Sequence, residues 1–270
     1  MPFLKRDDVD LYYELSGDGS PILLIQGVGV TGEGWRPQVD GLAGEFQMLI
    51  YDNRGIGRSQ PCRGPISIET MAADARSLMD AAGWKSAHIV GHSRGGVIAE
   101  QIALDCPDRV RSLSLLCTFG RGKDAARPTP WVIWMSLRTR LGSRPMRRRA
   151  FLEMLFPPSY LKTVDQAELA RKVGLIVGRD LSDNPSIMFK QVQALGRHNA
   201  FNQLGNLGAI PTLVISGRHD PIAKPGYGRS LAAAIPGAVY EEWPEGSHGL
   251  IIQQAEVLNR RLKEFWINSN

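Results

Sequence analysis

A serine sits in Gly91-His92-Ser93-Arg94-Gly95, after a short apolar run and before a helix-like one. A serine hydroxyl attacks a carbonyl carbon only when a base takes its proton. The usual base is a histidine held by a carboxylate. Five histidines are available. His248, in Gly246-Ser247-His248-Gly249, follows the last strand-like run and precedes the final helical run. His92 adjoins the serine, but neighbours on a sharp turn point apart. His88 opens a buried strand, His198 lies in a helical stretch, and His219 shapes the turn before an aspartate. His248 is therefore the expected base. Asp220 follows the strand-like Thr212–Ser216 run and is the expected carboxylate. Two other acids are weighed beside it. Asp52 is read as bracing its loop with Arg54, and Glu245 as facing solvent. Together Ser93, His248 and Asp220 would transfer an acyl group to water.

These side chains need a scaffold that brings loops to one edge. Short apolar runs at 22–25, 47–51, 87–90, 112–117, 212–216 and 238–243 alternate weakly, as strands covered on both faces do. Residues 11–15 alternate better and suit an antiparallel edge strand. Met71, Ala75, Leu78, Met79 and Ala82 recur at helical spacing, with Gly83 as a stop. Residues 94–105 and 255–267 also read as helices. Strand–helix alternation of this kind predicts an α/β fold with a mostly parallel sheet. It breaks between 120 and 206, where helical patterns and prolines predominate. The expected organisation is a core domain, 1–119 with 207–270, interrupted by a helical cap, 120–206.

Within that scaffold the serine motif makes sense as a strained strand-to-helix corner. Side chains at positions 91 and 95 would collide across the turn, and Gly96 allows close helix packing. The order Ser93, Asp220, His248 is that of α/β-hydrolases.

Composition narrows the function class. The net charge is +5. Residues 121–149 hold nine basic residues and one acid, a local +8, so the rest of the chain carries −3. The basic character is regional, and no nucleic-acid partner is expected. The apolar runs are too short to span a membrane, and the N-terminal stretch lacks a signal-peptide core. Three cysteines without CxxC spacing read as free thiols in a reducing cytoplasm, with no metal site and no cofactor.

The motifs Ile22–Gly29, Tyr51–Ser59, Gly91–Gly96, Ser216–Pro221 and Gly246–Gly249 together resemble the α/β-hydrolase fold family. The set is most similar to small esterases and lactonases, including 3-oxoadipate enol-lactonases and cofactor-free perhydrolases. The resemblance implies an eight-stranded sheet with one antiparallel strand, helices on both faces and a helical cap. It also implies an oxyanion hole from the backbone N–H groups of Val28 and Arg94. Two positions depart from the family pattern. Gln26 stands where a histidine is common, and Arg94 where many relatives carry methionine. The Arg94 guanidinium is read either as attracting an anionic substrate or cap carboxylate, or as turning outward to a surface partner. Gln26, Trp131, Trp134 and Leu250 are the candidate substrate contacts. Trp131, Trp134 and Met135 read as a packing face or as a pocket roof. The run Arg147-Arg148-Arg149 reads as a solvated helix face, with an acidic substrate or a membrane surface as the alternative. The expected reaction is hydrolysis of a small ester or lactone; carbon–carbon hydrolysis, thioester cleavage, perhydrolysis and a slow-turnover receptor are alternatives on the same scaffold.

Overall fold

A computed structural model describes residues 2–125 and 129–269. Arg127, part of the basic segment, lies outside the described residues. Strands β1 (Phe3–Lys5), β2 (Asp10–Ser16), β3 (Ser20–Ile25), β4 (Phe46–Tyr51), β5 (Ala87–His92), β6 (Val110–Leu116), β7 (Thr212–Gly217) and β8 (Val239–Trp243) form one sheet. Their order is β1-β2-β4-β3-β5-β6-β7-β8. Only β2 runs against its neighbours, pairing antiparallel with both β1 and β4. The strand at 10–16 is therefore second from the edge, and the short β1 takes the outer position. Every residue of β5 and β7 is buried, which explains the absence of apolar–polar alternation in their central Ile89-Val90 and Leu213-Val214-Ile215 runs. β8 departs from the expected two-sided burial: it closes the opposite edge and is partly exposed along its length.

Helices cover both faces. α1 (Arg36–Leu42), α11 (Leu250–Gln253) and α12 (Ala255–Ile267) pack together on one side. α2 (Ile68–Ala81), α3 (Arg94–Asp105) and α10 (Pro225–Ala234) lie on the other. α2 shows how sequence makes a helix here. The Ser67 hydroxyl caps its start by accepting from the Thr70 N–H at 3.1 Å. Met71, Ala75, Leu78 and Met79 turn one fully buried face to the core. Gly83, at φ +74, ends the run where a side chain would be strained.

Between β6 and β7 the described chain is helical: α4 (Gly122–Ala125), α5 (Pro130–Arg138), α6 (Arg144–Leu155), α7 (Pro158–Leu161), α8 (Gln166–Val177) and α9 (Ser186–Arg197). This segment has its own apolar cluster, with Leu152, Phe156, Leu169, Val173, Val177 and Leu181 buried. Four of its basic residues at 121–149 are answered from within. Arg138 and Arg149 pair with Glu153, Arg148 with Asp180, and Arg144 with Asp180 and Asp183. In the arginine run, Arg148 and Arg149 are thus paired although largely solvent-facing, while Arg147 has no ion pair among the described residues. The expected packing stripe on α5 also splits. Met135 is buried, whereas Trp131 and Trp134 are 42% and 58% exposed.

Candidate active site

Four loops at the carboxyl ends of β3, β5, β7 and β8 carry the predicted residues to one edge of the sheet. Ser93 lies between β5 and α3 at φ 56, ψ −123, a conformation that costs a non-glycine residue roughly 1–3 kcal/mol. The turn is held by the Ser93 N–H donating to the Leu116 carbonyl (2.9 Å) and by the Thr118 hydroxyl donating to the Ser93 carbonyl (2.6 Å). No side chain fits at the two glycines that flank the turn. A Cβ at Gly91 would lie 2.3 Å from the Gly95 carbonyl oxygen, and one at Gly95 would lie 2.0 Å from that of Ile25. A Cβ at Gly96 would meet Thr118, so α3 could not approach β6 so closely.

His248 and Asp220 converge on this serine. His248 Nε2 lies 3.1 Å from Ser93 Oγ, and His248 Nδ1 lies 2.8 Å from Asp220 Oδ2. A carboxylate only accepts, so Nδ1 carries the proton and Nε2 is left to accept from the serine. All three residues are buried, Ser93 with 8% of its surface exposed. The other Asp220 oxygen accepts from the N–H groups of Ile222 and Ala223, each at 2.8 Å. Burial alone would raise this carboxyl. The neighbouring His248 and the two backbone donors outweigh it, and the group sits below its ordinary value.

The other candidates separate clearly. Asp52 accepts from the Gly32 N–H (2.8 Å), the Arg58 N–H (2.9 Å) and Arg58 Nε (3.1 Å). It braces its loop as expected, but its arginine is Arg58. Arg54 instead forms a buried two-pronged bond to Asp74, because α2 presents that carboxylate directly to it. Glu245 is exposed. His88 bonds Ser112 and His198 bonds Glu69.

Above the serine runs the β3 loop. A Cβ at Gly27 would come within 3.1 Å of Ser93 Cβ, which places the Gly27–Val28 peptide close to the nucleophile. Arg94 begins α3, where a first-turn N–H has no intrahelical acceptor. Its side chain neither turns outward nor meets a cap carboxylate among the described residues. It is fully buried and donates to the Gly27 carbonyl (2.9 Å) and more weakly to the Gln26 carbonyl (3.5 Å). Gln26 is also buried: its carboxamide oxygen accepts from the Gly27 N–H, and its amide nitrogen has no partner among the described residues. Leu250 is fully buried at the start of α11.

Two contacts were invisible to local spacing. His92 Nε2 donates to the His248 carbonyl at 2.8 Å, bracing the loop that carries the imidazole. Burial, aided by the neighbouring His248, pushes His92 down to about 3, so it stays neutral. Gln191, fully buried on α9, accepts from the Gly29 N–H at 3.0 Å. The helical segment thereby grips the β3 loop one residue beyond Val28. His92, Cys117 and His248 also bring ligand-type atoms within 4.8 Å of one another. Both His248 nitrogens and His92 Nε2 are already engaged, and burial pushes the Cys117 thiol up, so this trio is a poor cation site.

Such a sheet, with a serine on a strained corner and an imidazole–carboxylate pair at its carboxyl edge, defines the α/β-hydrolase architecture. Residues 20–152 match the family model described as alpha/beta hydrolase fold. A protein of Azorhizobium caulinodans named "Putative carbamate hydrolase RutD" is 33% identical over 98% of both chains. An enol-lactonase from Burkholderia xenovorans LB400 is similar in structure, with TM-score 0.81 and 28% identity over 98% of this chain and 99% of that one. The chain belongs to the α/β-hydrolase fold family and is a hydrolytic enzyme. Among the described residues no helix is long and apolar enough to cross a membrane.

Proposed function

We propose that the protein cleaves a carboxylic ester or lactone through an acyl-enzyme. The observation that carries this is the chain of contacts from Asp220 through His248 to Ser93, with Oγ 3.1 Å from Nε2. Ser93 attacks the carbonyl carbon as His248 takes its proton. Asp220 holds the imidazole in the needed tautomer and stabilises its charged form. The tetrahedral oxyanion rests on the N–H groups of Val28 and Arg94. The charged imidazole then protonates the leaving oxygen, and water, deprotonated by the same His248, releases the acid and restores the serine. Residues 120–206 act as a cap over this edge, a reading supported by the Gln191–Gly29 contact. The likeness to an enol-lactonase favours small esters and lactones.

A second reading has its own support. The 33%-identical relative is named for carbamate hydrolysis, and a carbamate carbonyl offers the same carbon to Ser93. A fluorophosphonate, which labels activated serines, tests the common mechanism when mapped by mass spectrometry. Labelling at Ser93, and loss of turnover on the order of 10⁶ in Ser93→Ala, are expected. A label elsewhere, or near-normal activity in Ser93→Ala, sinks the mechanism. A panel of p-nitrophenyl esters, lactones and carbamates then ranks the two substrate classes by kcat/KM.

A further inference from the structure

Arg94 is a buried guanidinium for which no carboxylate partner is present among the described residues. Its Nη2 meets the Gly27 carbonyl, Nη1 lies 3.4 Å from the Met71 sulfur, and Nε has no acceptor. Burying a charge so sparsely satisfied costs stability. A methionine here would pack against Met71 without that cost. The group nonetheless stays protonated: burial lowers it only to about 10. A stability role does not account for it.

What the cation touches suggests another role. The Gly27 carbonyl and the Val28 N–H are two ends of one planar peptide unit. A positive donor on the oxygen draws electron density from the nitrogen, making its N–H a stronger donor, and also fixes the plane of the peptide. In a site shielded from water both effects weigh more than they would at the surface. We propose that the Arg94 side chain is a positioning residue for the oxyanion, gripping the Gly27–Val28 peptide from behind so that the Val28 N–H is aimed and polarised at Ser93. This rests on the reading of Val28 as an oxyanion donor. One residue then serves both donors: Arg94 offers its own backbone N–H, and its side chain sets the other.

The test compares Arg94→Met, Arg94→Gln and Arg94→Lys using p-nitrophenyl acetate, with turnover expressed per site titrated by fluorophosphonate. Removing a donor outright costs about 10²–10³ in turnover. A donor kept but loosened is expected to cost about tenfold in the Met and Gln variants. KM should stay within about twofold, because the interaction strengthens as the oxyanion forms. Affinity for a trifluoromethyl ketone, which mimics the tetrahedral adduct, should fall by the same factor as kcat. The melting temperature of Arg94→Met should equal or exceed that of the unmodified protein, and Arg94→Lys should recover part of the lost turnover. Full turnover per titrated site in either neutral variant overturns the proposal. So does a loss that merely tracks a fall in melting temperature, or a lysine variant no better than methionine. Ser93→Ala, assayed alongside, separates the two levels. If it stays active, the serine mechanism itself has failed; if it is dead while Arg94→Met is fully active, only the role of Arg94 is lost.

Discussion

Replacing Asp220 by asparagine changes one atom and should nearly silence the enzyme. The structure dictates how the new amide must lie. Asp220 Oδ1 accepts from the Ile222 and Ala223 N–H groups at 2.8 Å, whereas Oδ2 faces His248 Nδ1 at 2.8 Å. Turning the NH2 toward the two backbone donors would leave both without an acceptor, at about 1–3 kcal/mol each. The NH2 therefore takes the Oδ2 place and points at Nδ1. It can donate only to an unprotonated Nδ1, so the imidazole moves its proton to Nε2. Nε2, 3.1 Å from Ser93 Oγ, then presents a hydrogen where it should accept one. A wrong tautomer of this kind costs roughly 10⁴ in kcat, or about 5.5 kcal/mol at about 1.36 kcal/mol per factor of ten. KM should barely move, and the melting temperature should shift little because the Oδ1 bonds persist. The assay is steady-state hydrolysis of p-nitrophenyl acetate near pH 7.5, corrected for active-site titre. A kcat within tenfold of the unmodified protein would refute the assigned role of Asp220.

Two further outcomes follow from buried groups. Glu100, on α3, is buried without a countercharge among the described residues, and burial raises its carboxyl well above 4.5. A carboxyl raised in the fold contributes stability that is complete below its unfolded value and lost as pH climbs through the folded one. Glu100→Gln should thus match the unmodified protein in urea titrations at pH 4 and exceed it increasingly toward pH 9; a difference independent of pH would be inconsistent with this. Gln191→Leu removes the acceptor for the Gly29 N–H. It should lower kcat about tenfold while Val192→Ala, on the exposed face of the same helix, does not; equal kcat in both variants would show that the α9 contact is idle.

Much of the architecture was legible in the chain because local rules govern it. The bounds of α3 and α12 fall at 94–105 and 255–267, as periodicity predicts. The serine corner was readable because glycines at 91, 95 and 96 answer a steric demand within a few residues. Asp220 and His248 could be named from their places after strands, since parallel strands deliver their carboxyl ends to one edge. Other features were not readable. Trp131 and Trp134 have the spacing of a packing face, yet which side of α5 meets α6 depends on the whole helical segment. Arg54 and Arg58 lie in one loop, and only the placement of α2 decides that the first pairs with Asp74 and leaves Asp52 to the second.

From sequence alone came the types of chemistry-bearing residue, their order, and the alternation that makes a parallel sheet. Those follow from periodicity and from steric limits on turns, which act over a handful of residues. Tertiary packing alone decided where long side chains end. Arg94 reaches back to a carbonyl 67 positions earlier, and Gln191 meets an N–H 162 positions away. Flexible side chains choose among partners by proximity and desolvation, and both are set only once the sheet and the segment above it have come together.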